Sequence, residues 1–521
     1  MKRVISLLLL LLNVTLALRA QEHPFQNPGP TCQVRVSVHE AEDGPVIPKE
    51  IYGQFSEHLG RCIYDGIWVG PGSSIPNIDG YRTDVLQALK ELGVPVLRWP
   101  GGCFADEYHW QDGIGPRESR PRMINSNWGG TLEDNSFGTH EFLNLCEMLG
   151  ADPYISGNVG SGSVEELAKW VEYMTAKDGT QAERRAANGR KEPWKVKYIG
   201  IGNESWGCGG NMTPEFYADL YRRYATYCRD FDGNRLYKVA SGASDYDYNW
   251  TKVLMEKVGR RADAVSLHYY TITDWNHKGS ATDFTDGEYC DIIAKAVEID
   301  EVLRNHEVIM DTYDPERRID LLLDEWGTWF DVEPGTNPGH LFQQNTLRDA
   351  IVAALSLNLF NKHTARLKMA NIAQIVNVLQ SMVLTRDDKM LLTPTYHVFR
   401  MFRGHQDATS VPVAFECDTL QSPSGRLYPS LSISASRAKN GRLLVTLVNP
   451  CLDRTQSISL ELDALRPKDV TGEILSAGNV RTHNTFDQPA RISPKPLDGV
   501  RIRGRTVSLT LPPASVVSVT L

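Results

Sequence analysis

This 521-residue sequence predicts an α/β fold, a (β/α)8 TIM barrel followed by a C-terminal all-β sandwich of jelly-roll type. Three observations predict it. Between about Ile51 and Met401, short apolar runs alternate with longer segments of helical period. Several of those runs stop at an acidic or polar residue followed by Gly and aromatic residues, as strands do at the mouth of a parallel barrel. From about Asp407 the period switches to two, with Asn-Gly, Pro and Asp between the runs.

In chain order, Met1-Lys2-Arg3 and the apolar run Val4 to Leu12, ending near Ala20, read as an export signal over residues 1–20. The run is short for a membrane span. The expectation is therefore an exported protein, periplasmic or extracellular, with no membrane span. Residues 21–45 hold a loose Pro/Gly/Asn stretch and then Gln33-Val34-Arg35-Val36-Ser37-Val38, whose alternation predicts a half-buried antiparallel strand pairing with the C-terminal sheet.

The barrel is assigned to residues 46–405. Its candidate strands are Ile51 to Phe55, Val96 to Trp99, Pro153 to Ser156, Val196 to Ile201, Lys238 to Ala240, Ala264 to Leu267, Leu321 to Asp324 and Leu367 to Ala370. Candidate helices between them include Thr83 to Leu92, Gly138 to Leu149, Val164 to Met174, Thr213 to Phe231 and Leu341 to Asn361. Residues 406–521 make the sandwich, with alternating runs such as Arg442 to Val448, Gln456 to Leu462 and Val507 to Leu511.

Lys+Arg 55 against Asp+Glu 64 leaves a net charge of −9, and no basic block stands out. Nucleic acid and anionic membranes are thereby poor partners, and a neutral substrate fits better. The nine cysteines form no CxxC pair, which argues against a zinc site or a disulfide scaffold. His58, His109, His140 and His268 show no metal-ligand spacing, so neither a metal nor another cofactor is expected.

Two runs carry the chemistry. Lys197-Tyr198-Ile199-Gly200-Ile201-Gly202-Asn203-Glu204 and Ile319-Asp320-Leu321-Leu322-Leu323-Asp324-Glu325-Trp326 each deliver a glutamate at a strand end. Two such carboxyls are what glycoside cleavage requires, one to protonate the leaving oxygen and one to attack or polarise the sugar carbon. Arg98, ahead of Trp99-Pro100-Gly101-Gly102, is suited to hold a carboxylate ionised or to fork onto hydroxyls; a purely structural ion pair is the plainer reading. Glu57, just past the first strand, is a hydroxyl acceptor or a solvated surface acid. His268-Tyr269-Tyr270 ends another strand, where a tyrosine within reach of a carboxylate orients it, or merely packs as a lid.

Arg98-Trp99-Pro100-Gly101-Gly102, Gly202-Asn203-Glu204 and Asp324-Glu325-Trp326, with Glu57-His58-Leu59-Gly60 ahead of them, resemble the α-L-arabinofuranosidases of glycoside hydrolase family 51. The resemblance runs from the first strand to the sandwich. It implies a clan A barrel and a retaining, exo-acting enzyme that releases terminal arabinofuranose from arabinan, arabinoxylan or their oligosaccharides. It implies Glu204 as acid/base and Glu325 as nucleophile, with Asn203 on the sugar 2-hydroxyl. Glu57, Arg98 and Gln374 match positions that hold the furanose, and Tyr270 and His268 match neighbours of the nucleophile and acid/base. Trp128 and Trp329 match aromatics that shape the pocket mouth. Cys103 stands where many members place a sugar-touching asparagine, which puts that contact in doubt. Homo-oligomers are common in the family, so self-association is a further implication.

Asn203-Glu204-Ser205 is also formally a glycosylation sequon, but a glycan there would plug the pocket, and the catalytic reading excludes it. Cys103 and Cys208 follow strands on one barrel face; two buried thiols are the favoured reading and a disulfide the alternative. Other classes remain distinguishable. An endo-β-glucanase would use the same glutamates in an open cleft lined with stacking aromatics, and an inert carbohydrate-binding protein would not require both.

Overall fold

The computed structural model describes residues 29–42 and 44–521, so the expected signal over residues 1–20 lies outside the described residues. Eight parallel strands close into a barrel: Gly53–Phe55, Val96–Trp99, Asp152–Gly157, Tyr198–Ile201, Tyr237–Ser244, Ala264–Thr271, Asp320–Thr328 and Leu367–Ala373. They are numbered one to eight below. Strands two to eight each send one side chain to a buried interior cluster of Val96, Tyr154, Tyr198, Val239, Ala264, Leu322 and Met369. The barrel centre is therefore packed, and only its C-terminal end is free to hold chemistry.

Local sequence sets most boundaries. Helix Val164–Thr175 starts where the Ser163 side chain accepts from Glu166 N, and Pro214–Tyr227 starts with Pro after the capping Thr213. The pattern predicted a helix from Leu341, yet it begins at Leu347. There Thr346 and Asp349 form a reciprocal capping box, which outcompetes the weaker apolar signal upstream. The first strand is shorter than expected because Lys49–Tyr52 forms a 3-10 turn.

After the barrel the chain builds two facing sheets. One contains, in spatial order, Val413–Phe415, Thr31–Val38, Thr455–Leu462, Thr506–Leu511 and Arg501–Arg503. The other contains Thr409–Val411, Ser432–Arg437, Leu443–Asn449, Ser515–Thr520, Thr471–Ser476 and Lys495–Pro496. Val36, Ile433, Leu447, Leu460, Leu509 and Val517 fill the space between them. The N-terminal strand differs from its expected antiparallel pairing. It runs parallel to Thr455–Leu462 along its whole length and is antiparallel only to Val413–Phe415. Alternation specifies which face is buried, and says nothing of the partner's direction.

The helix Leu347–Phe360 is buried on nearly every side because it lies between barrel and sandwich. Its Asn358 accepts from Thr446 Oγ1 at 2.8 Å and donates to Ser432 Oγ at 3.2 Å, so the apolar contact carries polar registration marks.

Candidate active site

At the C-terminal end of strand seven, sheet register inserts one extra residue. Leu323 pairs with Leu267, whereas the next pair is Glu325 with His268, leaving Asp324 as the bulge. On a regular strand Asp324 and Glu325 would face opposite sides. With the bulge, both meet Arg98. Arg98 Nη1 donates to Glu325 Oε1 at 2.7 Å, and its Nε lies 3.6 Å from Asp324 Oδ2.

Arg98, from the end of strand two, organises the floor of the site and is 1% exposed. Its Nη2 donates to Asn203 Oδ1 at 2.6 Å, and its guanidinium stacks over Phe55 at 4.6 Å. Burial by itself would discourage its charge, but Asp324 and Glu325 outweigh burial and hold it well above its ordinary range. The same contacts keep Asp324 below the ordinary carboxylate range despite its own burial, with help from His268 and from the Tyr154 hydroxyl at 2.7 Å.

Glu204 follows strand four with φ of 40°, a left-handed conformation that costs a glutamate on the order of 1–3 kcal/mol. The surrounding loop holds it there. Gly207 N and Gly209 N donate to its carbonyl, Ser205 N donates to Ser241 Oγ, and Asn203 N donates to Asp106 Oδ2. Asp106 also accepts from Val159 N and Gly160 N at 2.8 Å, tying the loops after strands two, three and four together. Burial pushes the Asp106 carboxyl up to about 7, against the pull of those three N–H groups.

The Glu204 side chain is 19% exposed. Its Oε1 lies 2.8 Å from His268 Nδ1, while His268 Nε2 lies 3.1 Å from Asp324 Oδ1. Burial raises the Glu204 carboxyl and the negative Glu325 adds to this, with His268 and Arg98 opposing. His268 faces acidic groups through both ring nitrogens. Although burial disfavours its charge, Glu325, Asp324 and Glu204 together raise it well above the ordinary range. One oxygen of Glu204 and one of Glu325 lie within 4.8 Å of each other.

Glu325, 5% exposed, also accepts from Tyr270 Oη at 2.8 Å. The Tyr270 ring meets Trp329 edge-on at 5.0 Å. Glu57, 2% exposed, accepts from Gly102 N, Phe104 N and Trp128 Nε1 on one oxygen and from Gln374 Nε2 at 3.0 Å on the other. Burial, with Glu325 nearby, pushes Glu57 up to about 7. Gly101 and Gly102 permit this crowding: a Cβ on Gly101 would sit 2.7 Å from Glu57 Cγ, and one on Gly102 2.9 Å from Glu325 Oε1.

Glu57, Arg98, Trp128, Asn203, Glu204, His268, Tyr270, Glu325 and Gln374 thus share one contiguous network, and Trp329 stands at its edge. Cys103 differs from the favoured reading. It is bonded to Cys208, with Cα atoms 5.4 Å apart, and Cys208 is exposed rather than buried. The two loops curl toward each other over the barrel mouth, a proximity that separation by 105 residues conceals. Asn203 is buried and occupied by Arg98, so it is no accessible glycan acceptor. Sequence reasoning passed over Asp324, Tyr154 and Asp106. Asp324 was visible only as a neighbour of Glu325, and its inward aim depends on the bulge. Tyr154 and Asp106 carry no local signal that separates them from ordinary core and loop residues.

A parallel barrel with two close carboxyls at its C-terminal mouth, one raised by burial and one held by Arg98 and Tyr270, defines a glycoside hydrolase. Family models agree: residues 88–285 match the alpha-L-arabinofuranosidase 1 domain and residues 324–515 the alpha-L-arabinofuranosidase C-terminal domain. The chain is 60% identical to an intracellular exo-alpha-L-arabinofuranosidase of Bacteroides ovatus, over 93% of this chain and 95% of that one. It superposes on the family 51 arabinofuranosidase of Xanthomonas axonopodis pv. citri with a TM-score of 0.92 at 46% identity, covering 94% of this chain and 99% of that one. The alpha-L-arabinofuranosidase of Thermotoga maritima in complex with arabinose gives 0.83 at 30% identity, covering 94% and 99%. The protein belongs to the α-L-arabinofuranosidases of glycoside hydrolase family 51.

One expectation is overturned by these likenesses. The Bacteroides ovatus relative, matched over nearly the whole chain, is named intracellular, which contradicts an exported, periplasmic or extracellular protein and leaves the expected signal peptide without support.

Proposed function

We propose that the protein is an exo-acting, retaining α-L-arabinofuranosidase that removes terminal arabinofuranose by double displacement. The observation that carries this reading is that one oxygen of Glu204 lies within 4.8 Å of one oxygen of Glu325. A retaining pair of carboxyls stands about 5–5.5 Å apart, whereas an inverting pair leaves room for water at about 6.5–9.5 Å.

Glu325 attacks the anomeric carbon, oriented by Arg98 and Tyr270, while Glu204 gives its proton to the leaving oxygen. Forming the glycosyl ester removes the Glu325 charge. The repulsion that helped to keep Glu204 protonated then disappears, and Glu204 becomes the base that activates water. Asn203, fixed by Arg98, is placed for the sugar 2-hydroxyl. Glu57 and Gln374 hold the other hydroxyls, and the buried Gln374 Oε1 has no protein partner among the described residues. Deep burial of Glu57, Arg98 and Glu325 favours a closed pocket over the open cleft of an endo-glucanase. The intracellular name of the Bacteroides ovatus relative favours arabinofuranosyl oligosaccharides inside the cell as substrates.

The test is hydrolysis of an aryl α-L-arabinofuranoside beside the β-xyloside and β-glucoside, with proton NMR of the first-formed anomer. The arabinofuranoside should be strongly preferred and the first-formed sugar should keep the substrate's configuration. Glu204→Ala should lose about 10²–10⁴-fold on poor leaving groups and regain rate with azide on an activated one. Appearance of the inverted anomer first, or azide rescue of Glu325→Ala with retained configuration, would reverse the assignment.

A further inference from the structure

Two sulfurs that hydrolysis does not use lie against the Glu204 carboxylate at the pocket rim. Cys103 follows strand two and Cys208 follows strand four, and their Sγ atoms lie 3.9 and 3.4 Å from Glu204 Oε2. One ligand atom from each of the three residues lies within 4.8 Å of the other two. Cys208 is exposed and Cys103 half-buried, so a dissolved reductant reaches the S–S bond from outside. A dithiol supplies two electrons to that bond and leaves as its own disulfide, and its two protons end on Cys103 and Cys208 as thiols. Cell interiors maintain such dithiols.

We propose that the reduced Cys103 and Cys208, together with Glu204, bind one divalent cation of the zinc class, and that its binding shuts off hydrolysis. The inhibitory half rests on the acid/base role assigned to Glu204. Zinc takes thiolate sulfur at about 2.3 Å and carboxylate oxygen at about 2.0 Å in a tetrahedral shell, which sets a sulfur-to-oxygen edge of about 3.5 Å. The two observed edges, 3.4 and 3.9 Å, bracket that length. Once the S–S bond is cut, the sulfurs separate to the longer sulfur-to-sulfur edge by rotation of their side chains. Three protein ligands leave a fourth position for water. Two thiolates with one carboxylate select zinc over magnesium or calcium, which take oxygen ligands. On binding, the thiol protons and any proton on Glu204 leave to solvent. The enzyme then has no proton to give the leaving group, and a dication stands beside a carbon that must develop positive charge.

Full-length enzyme, reduced anaerobically with a water-soluble phosphine that takes its oxygen from water to become the phosphine oxide, is desalted and titrated with Co²⁺. The reduced wild type should develop a thiolate-to-cobalt absorption band that saturates at one equivalent. Oxidised wild type and reduced Cys208→Ser should each need at least tenfold more cobalt. The other seven cysteines are common to every arm. With Zn²⁺ at one equivalent, arabinofuranoside hydrolysis by the reduced wild type should fall at least tenfold and return with EDTA. Equal cobalt uptake by oxidised and reduced wild type, or by Cys208→Ser and wild type, overturns the site. A cobalt band with undiminished hydrolysis in zinc overturns the inhibitory half. Azide rescue of Glu204→Ala, read separately, shows whether the acid/base assignment falls with it.

Discussion

Glu204 and Gly102 show how single residues set the chemistry. Burial and the Glu325 charge raise the Glu204 carboxyl, so the protonated acid persists to higher pH than an ordinary glutamate near 4.3 allows. Activity that needs this proton is present below the raised pKa and is lost as pH climbs through it. For a sugar leaving group, kcat/KM should therefore fall on the alkaline side. With a dinitrophenyl leaving group, which departs without a proton, the limb in Glu204→Ala should vanish or move. An alkaline limb of unchanged position in that variant would assign it to another group. Gly102 is tested by adding one carbon. Gly102→Ala places a Cβ 2.9 Å from Glu325 Oε1, a distance at which the carboxylate must shift. A displacement of even about 1 Å at the nucleophile is worth on the order of 10²-fold in rate, so kcat should drop by that order while the melting temperature changes little. Unaltered kcat would show that Glu325 is not held as tightly as its contacts with Arg98 and Tyr270 indicate.

At the level of strands and loops, two devices aim the reacting groups. The bulge at Asp324 turns two successive acids toward Arg98, and Asp106 fastens three loops with one carboxylate. Replacing the Asp106 oxygen that faces Asn203 N by an amide would set donor against donor at 3.1 Å. Asp106→Asn should cost about 1–3 kcal/mol of stability by leaving a buried N–H unpaired. It should also lower kcat through the loosened Asn203-Glu204 turn, with little effect on KM; denaturant unfolding and steady-state kinetics measure the two effects. A stable variant with full kcat would show that the Glu204 turn holds its left-handed geometry without this tie.

Across the whole molecule, barrel and sandwich share the helix Leu347–Phe360 and a band of polar contacts. Tyr52 donates to Asn361, Asn361 donates to Ser434, and His405 lies between Ser436 and Thr446. Burial keeps His405 neutral, its pKa lowered to about 3. Asn358→Ala strips partners from both Ser432 and Thr446 at this interface. It should lower stability by about 1–3 kcal/mol, and calorimetry and loss of activity should still report one coincident transition. Two resolved transitions would mean that the modules fold independently.

The sequence by itself determined a great deal of this protein. Strand runs that stop at Asn203-Glu204 and Asp324-Glu325 announced a barrel with its acids at the mouth, because apolar periodicity is a local property of the chain. The switch to period two near Asp407 announced the sandwich for the same reason. Tertiary structure alone decided which groups meet. The parallel partner of Thr31–Val38, the inward turn of Asp324, the reach of Tyr154 from the barrel core and the Cys103–Cys208 bond all join residues distant in sequence or depend on register. Such contacts arise from barrel closure, which brings the loops of separate strands within a few ångströms of one another and leaves no mark on any single stretch of chain.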